Sequence, residues 1–123
     1  MTIGRKACGI AATILLAVFA STSVQAGTAV INAKVNRVLV NGDGTFGGCM
    51  ALLSVNPQSV LPACGTNWVT FSCSGDFTDP VRAYWMLDQA QLALATDKTV
   101  MVVLDDSRRH NGYCFAQRID VAK

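Results

Sequence analysis

The side chains of this chain that could do chemistry gather in one stretch, Asp105-Asp106-Ser107-Arg108-Arg109-His110-Asn111-Gly112-Tyr113. His110 is the single histidine, so any mechanism that needs two imidazoles is excluded. A nucleophilic set can be written from Ser107, His110 and Asp106, but a serine, its base and the group that orients the base must converge from different directions. Crowding in one short loop works against that convergence. Asp105 and Asp106 could be imagined as the paired acids of a glycoside hydrolase, yet adjacent residues at a strand end point to opposite sides and cannot flank one bond. The same two acids, with His110, could attract a hard cation. Arg108 and Arg109 neutralise the cluster, and no metal is expected. Gly42-x-Gly44 and Gly47-Gly48 lack the lysine and helix start of a phosphate-cradling loop. The chain nominates no catalytic residue and no cofactor, and it is not read as an enzyme. Two readings remain for Asp105, Asp106, Arg108, Arg109, His110 and Tyr113. They form a solvated hairpin loop whose charges pair locally, or a surface that recognises a polar ligand or a protein.

Cysteine supplies the other chemistry. Past residue 26 the chain carries Cys49, Cys64, Cys73 and Cys114. No close C-x-x-C pair exists, which argues against zinc. An even number in a short exported chain points to a disulfide framework, and four cysteines allow three pairings. Export is read from the first residues: basic Arg5 and Lys6, an apolar stretch over residues 7–20, and a polar run ending Val24-Gln25-Ala26. Small residues at the first and third positions before a cut suit signal peptidase. Cleavage is therefore expected after Ala26, leaving residues 27–123 as one domain in the periplasm or outside the cell. The apolar stretch is shorter than the roughly 20 residues of a membrane span, and no later segment is long and apolar enough. Cys8 precedes the apolar stretch, where a lipid-modified cysteine would follow it.

Removing the leader changes the electrostatics. Arg5 and Lys6 carry the whole formal excess of +2, so the remaining domain is formally neutral. Its acids are all aspartates. Without a basic field to meet phosphate backbones, nucleic acid is not an expected partner.

The elements that must position these residues are legible in part. Residues 28–40 are rich in β-branched side chains and predict a long strand, with Val35, Arg37 and Leu39 alternating against Asn36, Val38 and Val40. Asn41-Gly42-Asp43-Gly44 turns the chain. A second strand is expected over residues 46–55, where Gly47-Gly48 marks a bulge or a close backbone approach. Asn56-Pro57-Gln58-Ser59 and Leu61-Pro62 make a loop, and a third strand is expected over residues 68–73. Thr78 or Asp79 caps a helix whose first position is Pro80. That helix runs over residues 81–95 and buries Ala83, Leu87, Ala90 and Leu94, with Met86 and Ala93 beside them. Trp85 and Leu92 fall off the stripe as candidate interface residues, whereas Trp68 reads as core. An apolar strand over residues 99–104 suits a sheet interior. A polar loop then covers residues 105–112, and a last strand residues 113–121.

This order, β-β-β-α-β-β, belongs to the OB-fold, a five-stranded barrel whose helix links the third and fourth strands. An α+β sheet with one packed helix is the alternative. In the barrel the third and fifth strands are neighbours, so the fold selects Cys73 with Cys114 and leaves Cys49 with Cys64. The spacing of Cys49 and Cys64, the helix end Leu92-Ala93-Leu94-Ala95-Thr96 and the strand Val100-Met101-Val102-Val103-Leu104 together resemble the B subunits of AB5 toxins of the subtilase-cytotoxin and pertussis-like type. The final stretch, from Asp105 to Phe115, is more similar to small exported proteins of Gram-negative bacteria whose function is uncharacterised. The toxin resemblance implies a non-catalytic binding module that recognises glycan or protein and assembles as a homo-oligomer. It carries over no glycan-contacting residue. The alternative is an envelope structural or inhibitory protein that acts through residues 105–112.

Overall fold

The structure is a computed structural model that describes residues 26–123. The expected signal segment and Cys8 lie outside the described residues. The domain is mainly β, with a five-stranded mixed sheet and one helix. The elements are β1 (Thr28–Val40), β2 (Cys49–Leu53), β3 (Trp68–Thr70), α1 (Pro80–Thr96), β4 (Thr99–His110) and β5 (Tyr113–Val121), with single 3-10 turns at Thr45–Gly47 and Pro57–Ser59.

Strand β1 serves two partners. Its first half pairs antiparallel with β4, from Thr28 opposite Asp105 to Lys34 opposite Thr99. Its second half pairs antiparallel with β2, from Val35 opposite Leu53 to Val40 opposite Cys49. The register shifts between Val35 and Arg37, and the extra residue bends the strand from one neighbour to the other. Ile31, Ala33 and Val35 point inward before the shift, while Val38 packs against the core after it. The regular alternation expected for Val35, Arg37 and Leu39 therefore breaks: Arg37 is exposed. With β2 on β3, β3 on β5 and β5 on β4, the pairings run β1-β2-β3-β5-β4 and return to β1. The β3–β5 contact is parallel, with Thr70 opposite Phe115.

Helix α1 starts where its sequence says it should. The Asp79 carboxylate accepts from the Val81 N–H at 2.9 Å, and Pro80 occupies the first turn. Such a cap is worth about 1 kcal/mol. The helix ends at Asp97, which adopts the left-handed region at φ 51° and sits within an ion pair of Lys34, 3.2 Å away. The face turned to the sheet is Ala83, Leu87, Ala90 and Ala93. Ala93 thus takes the inward place expected of Leu94, which is exposed. Small residues let the helix backbone approach the sheet closely, and Leu87 fills the space between. Burying one such leucine stabilises the fold by about 1.5–3 kcal/mol. Beneath lie Phe71, Leu53, Val69, Val100, Val102 and Leu104, all fully buried.

The disulfides join Cys49 to Cys73 and Cys64 to Cys114, correcting the expected partners of all four cysteines. Strand direction is the reason. In the antiparallel β2–β3 pair the start of β2 faces the end of β3, so Cys49 meets the chain just after Phe71, whose N–H donates to the Cys49 carbonyl. Ser72 then adopts φ 60° and turns Cys73 back over Cys49. In the parallel β3–β5 pair, start lies beside start. The loop before β3, carrying Cys64, therefore meets the start of β5 at Cys114, and the Gly65 N–H donates to the Gly112 carbonyl. The expected neighbours were the right strands joined at the wrong ends.

Candidate functional site

The segment expected as a loop over residues 105–112 is mostly strand. β4 continues to His110, and only Asn111-Gly112 turns, with φ of 52° and 86°. Two successive positive φ values give the tight turn that suits a hairpin's twist. The ladder with β5 skips from Asp105 opposite Phe115 to Arg109 opposite Cys114, so Asp106, Ser107 and Arg108 bulge without partners across the strand. This bulge distributes the candidate residues among separate tasks. Asp105 is buried and accepts from the Ser107 N–H at 2.8 Å and from Arg108 Nε at 2.8 Å. Burial pushes its carboxyl up, but the hydrogen bonds from Ser107 and Arg108 outweigh that and hold it below the usual carboxylate range. Arg108 also reaches the Phe77 carbonyl and Gln117 Oε1, and its guanidinium lies 4.5 Å from the centre of the Phe115 ring. Arg109 donates to the Ala63 carbonyl at 2.9 Å. Asp106 turns the other way and accepts from the Gly27 N–H at 2.7 Å.

His110 leaves this group altogether. Its Nε2 is 3.0 Å from Ser72 Oγ and 3.6 Å from Asp76 Oδ2, and its ring packs on Phe77 at 4.3 Å. The set imagined from Ser107, His110 and Asp106 is not assembled, and a different serine and aspartate stand at the imidazole. Ser72, Asp76 and His110 do not form a nucleophilic triad either. In such a triad the acid holds one ring nitrogen and the serine the other, whereas here both approach Nε2. Ser72 is fully buried and its Oγ accepts from the Phe77 N–H, so a substrate carbon has no approach to it. Gly47 shows how tightly this corner is closed. A Cβ there would lie 2.5 Å from the His110 ring and from Thr70 Oγ1, the close backbone approach expected of Gly47-Gly48.

Among the described residues, two concavities carry aromatic walls. A hollow of about 160 Å³ is walled by Leu39, Phe46, Met50, Trp68 and Tyr113. Trp68 is therefore a half-buried wall and not the core residue expected. Phe46 meets Tyr113 edge-on at 5.8 Å, and its backbone sits at φ 58°, a conformation a bulky residue adopts only when held. Its N–H donates to Asn111 Oδ1 at 3.1 Å and its carbonyl accepts from Thr70 Oγ1 at 2.9 Å. The second concavity is a groove of about 410 Å³ between α1 and β5, where Trp85, Arg82 and Gln89 face Gln117 and Arg118. Trp85 is 64% exposed. Arg118 is held in a fork by Asp120, at 3.0 and 2.7 Å, which also raises its pKa above the usual arginine value. Gln117 spends its carbonyl on Arg108, which leaves its amide hydrogens to the groove. Sequence reading found Trp85 through its place off the helical stripe. Gln117 and Arg118 carried no local signal, because only the packing of β5 beside α1 brings them to it.

Among the described residues no cluster of histidine, cysteine and acid could hold a metal ion, and no helix is long and apolar enough to cross a membrane. No protein-family model, no curated protein and no solved structure matches the chain.

Proposed function

We propose that the chain is an exported, non-catalytic binding domain of the OB type that recognises glycan in the groove between α1 and β5. The observation that carries this reading is Trp85, a large apolar ring left in solvent beside side chains already fixed to make hydrogen bonds. A sugar ring offers an apolar C–H face and a rim of hydroxyls. Trp85 supplies a surface for the first, while Arg82, Gln89, the Gln117 amide and Arg118 supply planar groups for the second. Because Asp120 and Arg108 already hold Arg118 and Gln117, little side-chain freedom is lost on binding. Support for the OB-type barrel comes from the returning strand order, the β3–β5 contact and the position of α1 between β3 and β4. Two disulfides suit an oxidising compartment, the periplasm or the exterior, where the leader would deliver the domain. The toxin-subunit resemblance further implies assembly of copies, which would cover Leu92, 49% exposed on the same helix.

The test is a glycan array probed with the oxidised domain, followed by calorimetric titration with each oligosaccharide retained. Trp85→Ala should weaken binding at least about 30-fold, as for a central aromatic contact worth about 2 kcal/mol. Retention of no glycan, or an unchanged affinity in the variant, overturns the assignment. The strained backbone of Phe46 favours a second reading, in which the hollow at Phe46, Trp68 and Tyr113 seats one apolar side chain of an envelope protein near the β4–β5 turn. Trp68→Ala would then abolish capture that Trp85→Ala leaves intact.

A further inference from the structure

Asp106 is 9% exposed, and its side chain forms no ion pair with another side chain among the described residues. A buried carboxylate ordinarily has a charged partner. Its one described hydrogen bond comes from the backbone nitrogen of Gly27, at 2.7 Å, and the Asp106 N–H donates in return to the Gly27 carbonyl at 3.2 Å. The partner is therefore the residue that follows Val24-Gln25-Ala26, the small-residue pattern of a signal-peptidase cut. We propose that Asp106 is the receptor for the N-terminus created by processing, so that removal of the leader forms an ion pair closing β1 onto β4. The proposal depends on the export reading for the position of the cut and is independent of the ligand.

The chemistry needs only water and the peptidase. Hydrolysis of the Ala26–Gly27 bond leaves Ala26 as a carboxylate on the departing segment. The Gly27 nitrogen keeps its bonding pair and gains protons to become an ammonium. In the uncut chain that nitrogen offers Asp106 one amide hydrogen; after the cut it offers three and a full charge, with the same atom already at a length typical of charge-assisted bonds. No backbone movement is required, because Thr28 is registered opposite Asp105 and fixes Gly27 in place. Beside the pair lies a hollow of about 370 Å³ lined by Ala26, Ala63, Asp106, Ser107 and Arg109. Arg109 is the other charged group of that lining, and its guanidinium is bonded to the Ala63 carbonyl. Neither the loop at Ala63 nor the start of β1 brings another titratable side chain to it.

The full chain is expressed in an exporting Gram-negative host, and the purified product is weighed intact and its α-amino group titrated by NMR. The product should begin at Gly27, and its amine should titrate about one unit or more above the ordinary value of about 7.7–8.0. Asp106→Asn should return it to the ordinary value. A cytoplasmically expressed and reoxidised chain that keeps Gln25 and Ala26 after its initiating methionine, which is not excised before glutamine as it would be before glycine, should do the same, which covers the case in which Asp106→Asn does not fold. A product beginning at another residue overturns the proposal. So does an ordinary value in the processed chain, or a raised value that persists in both variants.

Discussion

Replacing Cys64 and Cys114 together by alanine removes the longer cross-link and gives a magnitude that can be worked in advance. The bond closes a loop of 50 residues in the unfolded chain, against 24 for Cys49–Cys73. Loop-closure entropy then assigns about 4 kcal/mol to the first and about 3.5 kcal/mol to the second. For a domain of about 100 residues the unfolding entropy is about 0.2 kcal/mol per degree, so Cys64→Ala with Cys114→Ala should lower Tm by about 20 °C. Cys49→Ala with Cys73→Ala should lower it by about 17 °C. Thermal unfolding followed by circular dichroism reads both. The connectivity needs its own assay, and trypsin cannot supply it, because no lysine or arginine lies between Arg37 and Arg82. Chymotrypsin can cut after Leu53, Trp68 and Phe71, which places Cys49, Cys64 and Cys73 on separate peptides. With free thiols blocked first, the digest should hold Cys49 joined to Cys73 and Cys64 to Cys114. A Cys49–Cys64 peptide, or a loss of only a few degrees in either double variant, refutes the reasoning from strand direction.

Three other substitutions have defined outcomes. Gly47→Ala places a methyl 2.5 Å from the His110 ring at φ +79°, so it should cost more than about 1 kcal/mol by urea unfolding, and a neutral result would deny the close approach. Asp105 has a depressed folded pKa, so its contribution is present above the usual carboxylate pKa of about 3.9 and lost as pH falls through the folded value. The stability gap between wild type and Asp105→Asn should thus be full at pH 6 and shrink below pH 4; a gap independent of pH would contradict this. Asp79→Ala should cost about 1 kcal/mol through loss of the helix cap, read as a shift in the urea midpoint.

What the amino-acid order discloses follows from the range over which each signal acts. The ends of β1 and β5 and the start of α1 are written locally, in β-branched runs, in Asn111-Gly112 and in Asp79-Pro80. The continuation of β4 through Asp105 to His110 is not, because polar composition reads as loop and only the facing residues Tyr113, Cys114 and Phe115 make it strand. The same holds at the candidate sites. Trp85 stands out on a helical wheel, but Gln117 and Arg118 reach its groove from an element more than twenty residues later. Ser72 and Asp76 reach His110 across a similar gap, after the chain has passed through α1 and β4. Disulfide partners depend on whether neighbouring strands run parallel or antiparallel, a property of the assembled sheet that strand order alone does not carry.

The two cross-links also overlap along the chain, since Cys64 lies inside the span from Cys49 to Cys73 while Cys114 lies outside it. A thiol oxidant that joins cysteines in the order they emerge would make Cys49–Cys64 first, a bond the folded domain does not contain. With such an oxidant, native pairing requires the Cys73 thiolate to displace Cys64 from Cys49 so that Cys64 is free for Cys114, and the yield of correctly paired domain should then depend on a disulfide isomerase in the compartment where it folds.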